Sequence, residues 1–344
     1  IWSSLVGSEM CIRDRHIQCI TRDLLMKQIN LNNKEYDVII VGAGFSGLYQ
    51  LICLRDQLGM NCLVVETGDD VGGTWYWNRY PGARCDTESH AYSYYFSDEL
   101  LKEWTWSERY PGHAEIRRYM NFVADKFDLK KDILFNHKVT SAQYNEDKIC
   151  WEITTNNKIN FRSKFLITAV GCLSNANIPK IKGLENFKGK YYHTGNWPKN
   201  GVSFVGKKVG QIGTGSTGIQ AVPVIAEEAK HLTVFQRTAN YSVPARNKPL
   251  TENFKIHVKE RFKYYRELLK KTPNGHPFEI SDRLVADVQE QEMQEIYEKA
   301  WKKGGLQFRG SFSDLVTNVE ANKTASDFTV SYTHLRAHET GPYL

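Results

Sequence analysis

No run of about eighteen apolar residues occurs in the chain, so a membrane-spanning helix is not expected. No two of the seven cysteines (Cys11, Cys19, Cys53, Cys62, Cys85, Cys150, Cys172) stand at C-x-x-C spacing. That argues against a zinc ribbon and against dithiol flavin chemistry, which needs two close sulfurs, and no metal site is expected. Scattered thiols fit a reduced, cytoplasmic protein. Charge of neither sign dominates: 45 basic against 39 acidic side chains leave +6, which suits anionic cofactors and nucleic acid alike. A G-x-S-x-G nucleophile elbow is also missing, because Thr214 holds the first position before Ser216.

What is present begins with length. At 344 residues, about two domains are expected. The two ends look foreign. A codon choice exists for which Leu5–Asp14 and Val330–Glu339 are encoded by one oligonucleotide read on opposite strands, as a sequencing adapter at both ends of an assembled fragment would be. Residues 1–25 are therefore expected to be a non-native or disordered leader, with Met26 as the true start, and residues 330–344 a non-native tail. The gene is expected to continue beyond Thr329.

Tyr36–Val41 is a short β-branched run, as a buried parallel strand would be. It leads into Gly42–Ala43–Gly44–Phe45–Ser46–Gly47 and a helical stretch from Leu48 to about Leu58. Gly42 permits the turn, Gly44 lets backbone approach a pyrophosphate, and Gly47 lets helix pack on strand. The helix N-terminus then offers free N–H groups to the phosphates. A second strand, Asn61–Val65, ends at Glu66, where an acid can bond ribose hydroxyls.

The pattern recurs at Gly213–Thr214–Gly215–Ser216–Thr217–Gly218, entered from Lys208–Ile212 and followed by a helix to about Lys230. The next strand, Leu232–Gln236, ends at Arg237 and Thr238 rather than at an acid. A carboxylate repels a 2′-phosphate, whereas a guanidinium binds it through paired hydrogen bonds. The first loop should therefore prefer FAD and the second NADPH. Two such loops in one chain imply electron transfer between two cofactors.

Between the loops lies Gly72–Gly73–Thr74–Trp75–Tyr76–Trp77–Asn78–Arg79–Tyr80–Pro81–Gly82–Ala83–Arg84–Cys85–Asp86, whose aromatics either wall a flavin pocket or pack in a core. Asn136–Gly171 alternates like an antiparallel meander whose last strand returns to the first sheet. Ser174–Asn200 is rich in loop formers and carries Phe187-x-Gly189-x-x-x-His193-x-x-x-Trp197–Pro198. From Thr251 to Lys303 the composition turns helical and charged, with the charge runs read as solvated faces rather than a nucleic-acid patch.

The linker motif between two G-x-G-x-x-G units, together with GGTWYWNRYPGARCD, resembles the Baeyer–Villiger monooxygenases from Tyr36 to about Phe328. The resemblance implies an α/β fold with two Rossmann-like dinucleotide-binding domains, the second bearing a helical insertion. Residues 26–175 would be an incomplete FAD domain, 176–200 a linker, and 201–329 the NADPH domain with its insertion from about 251. NADPH would reduce FAD, and a flavin C(4a)-peroxide formed with O2 would turn a ketone into an ester or lactone. FAD contacts would come from Gly42, Gly44, Phe45, Ser46, Gly47, Glu66, Gly73, Thr74, Trp75, Tyr92 and Val139. NADP contacts would come from Gly213 to Gly218, Arg237 and Thr238. Arg84, Cys85 and Asp86 would lie by flavin and nicotinamide, with Arg84 and Asp86 in catalysis and Asp86 orienting the family's catalytic arginine. His193 and Trp197 would be hinge residues. That arginine would come from a segment after this chain stops, so the chain alone is expected to make little or no ester. Alternatives are an N- or S-oxygenating flavin monooxygenase, or a dinucleotide-binding protein without complete catalysis.

Overall fold

A computed structural model describes residues 32–335, so the proposed leader, Met26 and the tail beyond 335 lie outside it. Residues 330–335, expected to be foreign, continue the helix Val319–Leu335. The described residues form two compact units: one holds residues 32–77 together with Met120–Phe187, the other Asn78–Tyr119 and residues 188–335. Segment 78–119, grouped with the first nucleotide loop on sequence order, thus clusters with the second.

The first unit is a six-stranded sheet. Strands β1 (Lys34–Val41), β2 (Cys62–Val65), β3 (Ile133–Leu134), β4 (Val139–Asn145), β5 (Cys150–Thr155) and β6 (Asn160–Thr168) lie in the order β3-β2-β1-β6-β5-β4. β1 pairs parallel with β2 and β6, with Val41 opposite Val65 and Thr168. β4 and β5 form an antiparallel pair, and β5 runs antiparallel to β6. The meander and its return to the first sheet are therefore as expected. Val38, Ile39 and Ile40 are buried, as are all four residues of β2, which is why these central strands read as unbroken apolar runs. Tyr36, Phe161 and Ile153 close the core toward the meander, with Tyr36 and Phe161 edge to face at 6.1 Å. Helix α1 (Phe45–Leu51) follows β1 and runs on as a π-helical stretch to Gln57.

The second unit repeats the strand–loop–helix–strand pattern with fewer strands. β7 (Lys208–Ile212) and β8 (His231–Phe235) pair in parallel, and helix α2 (Ser216–Glu228) links them. α2 continues through Pro223, although proline removes the N–H that would meet the Ile219 carbonyl. The charged region from Thr251 is helical as expected, at Glu252–Glu260, Phe262–Lys271 and Glu290–Lys303. Its apolar face is buried in an aromatic cluster of Tyr297, Trp301, Phe308, Phe312 and Phe328. Among the described residues no helix is long and apolar enough to cross a membrane, and no cluster of metal-binding side chains occurs.

Candidate functional site

The two glycine loops adopt matching backbone conformations. Gly42 and Gly213 have φ of +104° and +100°, a region open to glycine at little cost. Gly44 and Gly215 cap the following helices at φ/ψ of −84°/−170° and −70°/−175°. A Cβ on Gly47 would fall 1.9 Å from the Gly42 oxygen, and one on Gly218 would fall 2.5 Å from the Gly213 oxygen. Only hydrogen at those positions lets the helix sit against its strand.

No side-chain cap or first-turn acid competes with an anion at either helix start, and the helix dipole adds to its attraction. In the first unit the loop is also covered by bare backbone: a Cβ on Gly73 would lie 2.7 Å from the Gly44 Cα, and Gly72 N–H donates to the Ala43 carbonyl. These cradles fit the pyrophosphate of an extended dinucleotide.

Glu66 stands at the end of β2, buried to 5% exposure. One carboxylate oxygen accepts the Ala43 N–H at 2.6 Å and the other the Gly68 N–H at 2.7 Å. A carboxylate has about four acceptor positions, so two remain for ribose hydroxyls. The acid therefore also fixes the loop it serves. Its backbone pairs with the segment leading to Val139, through Glu66 N–H to Leu134 and His137 N–H to the Glu66 carbonyl. Phe45 and Ser46 open α1, and Thr74 opens the short helix Thr74–Trp77. Trp75 and Tyr76 of that helix are buried, and the Tyr76 hydroxyl donates to Asp69.

In the second unit Arg237 and Thr238 follow β8 and are exposed. Asn240, which no sequence signal singled out, donates to the Thr214 hydroxyl at 3.2 Å and to the Thr238 carbonyl at 3.4 Å, tying the loop to this turn. Ser216 and Thr217 begin α2. Tyr92 also belongs to this unit, its N–H bonded to the Glu88 and Ser89 carbonyls.

Arg84, Cys85 and Asp86 lie on a loop pressed against α2. Gly82, at φ +76°, would carry a Cβ 2.1 Å from the Gln220 oxygen. The Gln220 side chain fills all its bonding positions on this loop. Its oxygen accepts from the Tyr80 hydroxyl at 2.8 Å and the Arg84 N–H at 3.3 Å. Its amide donates to the Arg84 carbonyl at 3.1 Å and to Asp86 Oδ1 at 2.9 Å. Gln220 was missed from sequence, though a lone amide in the apolar run Ile219–Ala221 is a signal. The Arg84 guanidinium reaches the Tyr110 carbonyl at 3.3 Å and Glu108 at 3.5 Å.

Burial pushes the Cys85 thiol up to about 12, so it is no nucleophile near neutrality. Partial desolvation raises the Asp86 pKa, and the Gln220 hydrogen bond opposes that rise. Asp86 keeps solvent contact, which limits the desolvation. His193 accepts the Gly195 N–H through Nδ1 and so caps a local turn. Trp197 packs with Tyr80, Ala83, Phe204, Ala221 and Ile225, behind the same loop. The linker motif thus buttresses the Tyr80–Asp86 segment.

Two uncapped glycine loops, one ending its second strand in an acid and the other in Arg237, define a protein built to hold two dinucleotides. The chain matches the model of the flavin-binding monooxygenase-like family over residues 35–301, and it belongs to that family. Cyclohexanone 1,2-monooxygenase of an Acinetobacter species is 45% identical over 299 residues, a match covering 86% of this chain and 54% of the relative. A phenazine N-monooxygenase of Lysobacter antibioticus is 40% identical over 302 residues, covering 87% and 56%. The solved structure of an oxidized steroid monooxygenase bound to NADP superposes with a TM-score of 0.83 at 46% identity, covering 88% of this chain and 58% of that one. The chain spans about half the length of the curated relatives it matches.

Proposed function

We propose that this chain is the cofactor-holding part of an FAD- and NADPH-dependent monooxygenase of the Baeyer–Villiger type, acting with O2 on a ketone. The observation that carries the reading is the contrast between two loops of one conformation. Glu66 stands after β2 in the first, and Arg237 after β8 in the second. Gly42, Gly44–Gly47, Glu66, Gly73, Thr74, Trp75 and Val139 would hold FAD. Gly213–Gly218, Arg237 and Thr238 would hold NADPH. The nicotinamide supplies hydride and the flavin passes electrons to oxygen.

The chain's own residues contribute binding and orientation. Uncapped N–H groups at α1 and α2 take up pyrophosphate charge. Glu66 accepts ribose hydroxyls and disfavours a 2′-phosphate, whereas Arg237 favours one. Gln220 and Trp197 fix the loop that presents Arg84 and Asp86, and Asp86 offers a carboxylate that can orient a cationic partner. A second reading, oxygenation at nitrogen, is favoured by the likeness to a phenazine N-monooxygenase. Trp197–Pro198 in the linker speaks for the ketone reading.

The test is spectroscopic. The purified chain, reconstituted with FAD, should show a flavin band that bleaches without oxygen on adding NADPH and far less with NADH. Equal bleaching by both nucleotides, or none, counts against the assignment. Offering ketones and aromatic N-heterocycles in parallel to an oxygenating form of the protein separates the two readings.

A further inference from the structure

We infer that Gln220 is a positioning residue that holds the Arg84 backbone and the Asp86 carboxylate in register with the Gly213–Gly218 loop, coupling dinucleotide seating on α2 to the state of Asp86. The inference rests on the reading of that loop as the NADPH site and adds a residue that neither the glycine pattern nor the linker motif contains.

Three observations converge. First, the four side-chain hydrogen bonds of Gln220 all go to Tyr80, Arg84 and Asp86. A primary amide has two donors and an oxygen with two lone pairs, so nothing is left over. The amide orientation is dictated by its partners: reversed, it would set NH2 against the Arg84 N–H and its oxygen against the Asp86 carboxylate. Second, the contact is reinforced by backbone, because Gly82 is the residue type that lets the loop come this close to the Gln220 carbonyl. Third, Gln220 lies one helical turn from Ser216, which opens α2 at a start without a side-chain cap, where a phosphate would sit. A shift of the first turn of α2 on binding is therefore carried into the loop by a rigid, fully bonded side chain.

Coupling of this kind is reciprocal: if bound nucleotide changes the Asp86 proton equilibrium, protonation of Asp86 changes nucleotide affinity by the same factor. The donated Gln220 N–H favours the ionised carboxylate. Other groups facing Asp86 stay silent in the acid range. Burial raises Tyr80, Cys85 and Tyr110, so all three remain protonated there.

The experiment is a carbon-13 carboxyl titration of the whole chain labelled at aspartate, with the Asp86 signal assigned by its loss in Asp86→Asn. In Gln220→Met the Asp86 midpoint should move to higher pH. In the isosteric Gln220→Glu, which keeps the acceptor toward Tyr80 and sets a second carboxylate against Asp86, it should move further. NADP+ should shift the midpoint in the unaltered chain and not in Gln220→Met. A side chain that merely stabilises the fold would lower the melting temperature and leave the midpoint alone. An unmoved midpoint in either folded variant overturns the inference. Failure of the unaltered chain to bind NADP+ counts instead against the nucleotide assignment, and the cofactor-free titration still decides the role of Gln220.

Discussion

Glu66 Oε2 accepts the Ala43 N–H at 2.6 Å across 23 residues of sequence, while its other oxygen holds Gly68. The acid is therefore a brace for the glycine loop as well as the proposed partner for ribose. Removing it leaves two buried N–H groups without acceptors, at about 1–3 kcal/mol each. Glu66→Ala should lower the unfolding free energy of the chain by about 2–6 kcal/mol in denaturant titrations and abolish flavin retention. Glu66→Gln keeps one acceptor oxygen and should lose about half as much. A Glu66→Ala variant as stable as the parent would show that the two bonds carry no weight.

How far this was legible in sequence depends on distance along the chain. The strand, glycine loop, helix and following acid lie within about thirty residues, and the periodicity and turn chemistry that mark them are local. Glu66 stands out in sequence as a candidate ribose partner, but its grip on Ala43 and Gly68 needs the fold. The transfer of Asn78–Tyr119 to the second unit was not legible, because it rests on Gly82 and Tyr80 meeting Gln220, about 140 residues away. Asn240 escaped for the same reason: no fixed spacing links it to Thr214. The buried Trp75 and Tyr76 show a different limit, since an aromatic run reads alike whether it walls a pocket or fills a core.

The glycines of the second loop separate folding from binding. Gly218→Ala places a Cβ 2.5 Å from the Gly213 oxygen, so α2 must shift, at about 3 kcal/mol or more. Gly215→Ala meets nothing within 4 Å, and its φ of −70° suits any residue. It should leave stability unchanged or raise it by about 0.5 kcal/mol through the unfolded state. Calorimetry should nevertheless find NADP+ binding weakened at least tenfold in Gly215→Ala, because the added methyl occupies the space a pyrophosphate needs. Undiminished NADP+ binding there would remove the loop from the site.

Thiol reactivity follows burial. Desolvation pushes Cys62 up to about 11 and Cys85 up to about 12, whereas Cys172 is exposed. The thiolate is the reactive form, so iodoacetamide at pH 8 should modify Cys172 first among the described cysteines and leave Cys62 and Cys85 protected until denaturant is added. Peptide mass mapping against time checks the order. Early labelling of Cys85 would mean that its loop opens readily.

Acid should destabilise the chain through His90. It is buried, and it packs edge-on to Phe254 and Tyr265. Desolvation lowers its pKa below the ordinary value of 6.5, a shift the nearby Glu88 only partly offsets. Because the folded state holds the neutral form, the contribution is complete above the unfolded pKa of about 6.5 and is lost as pH falls from there toward the folded value. The unfolding midpoint in urea should decline below pH 6.5. His90→Phe, which keeps the ring packing, should flatten that decline; an identical pH dependence in the variant would place the effect elsewhere.

Arg237 is the residue proposed to decide nucleotide choice in the second loop. It is exposed beyond β8, its conformation set in part by the turn that Asn240 ties to Thr214. A charge-assisted contact to a 2′-phosphate contributes about 1.5–3 kcal/mol, and NADH has no phosphate to contact. Arg237→Ala should therefore weaken NADPH binding about ten- to a hundredfold and leave NADH binding within about twofold. Arg237→Lys should recover only part of the loss, because a point charge replaces a planar fork. Thr238 and Asn240 remain in these variants, so the loop should keep its shape and the melting temperature should hold. Rapid-mixing measurement of flavin reduction with each nucleotide reads the ratio directly. A parallel fall for both would mean that Arg237 supports the loop rather than reads the phosphate, and the selectivity would have to be sought in another cation of the second unit.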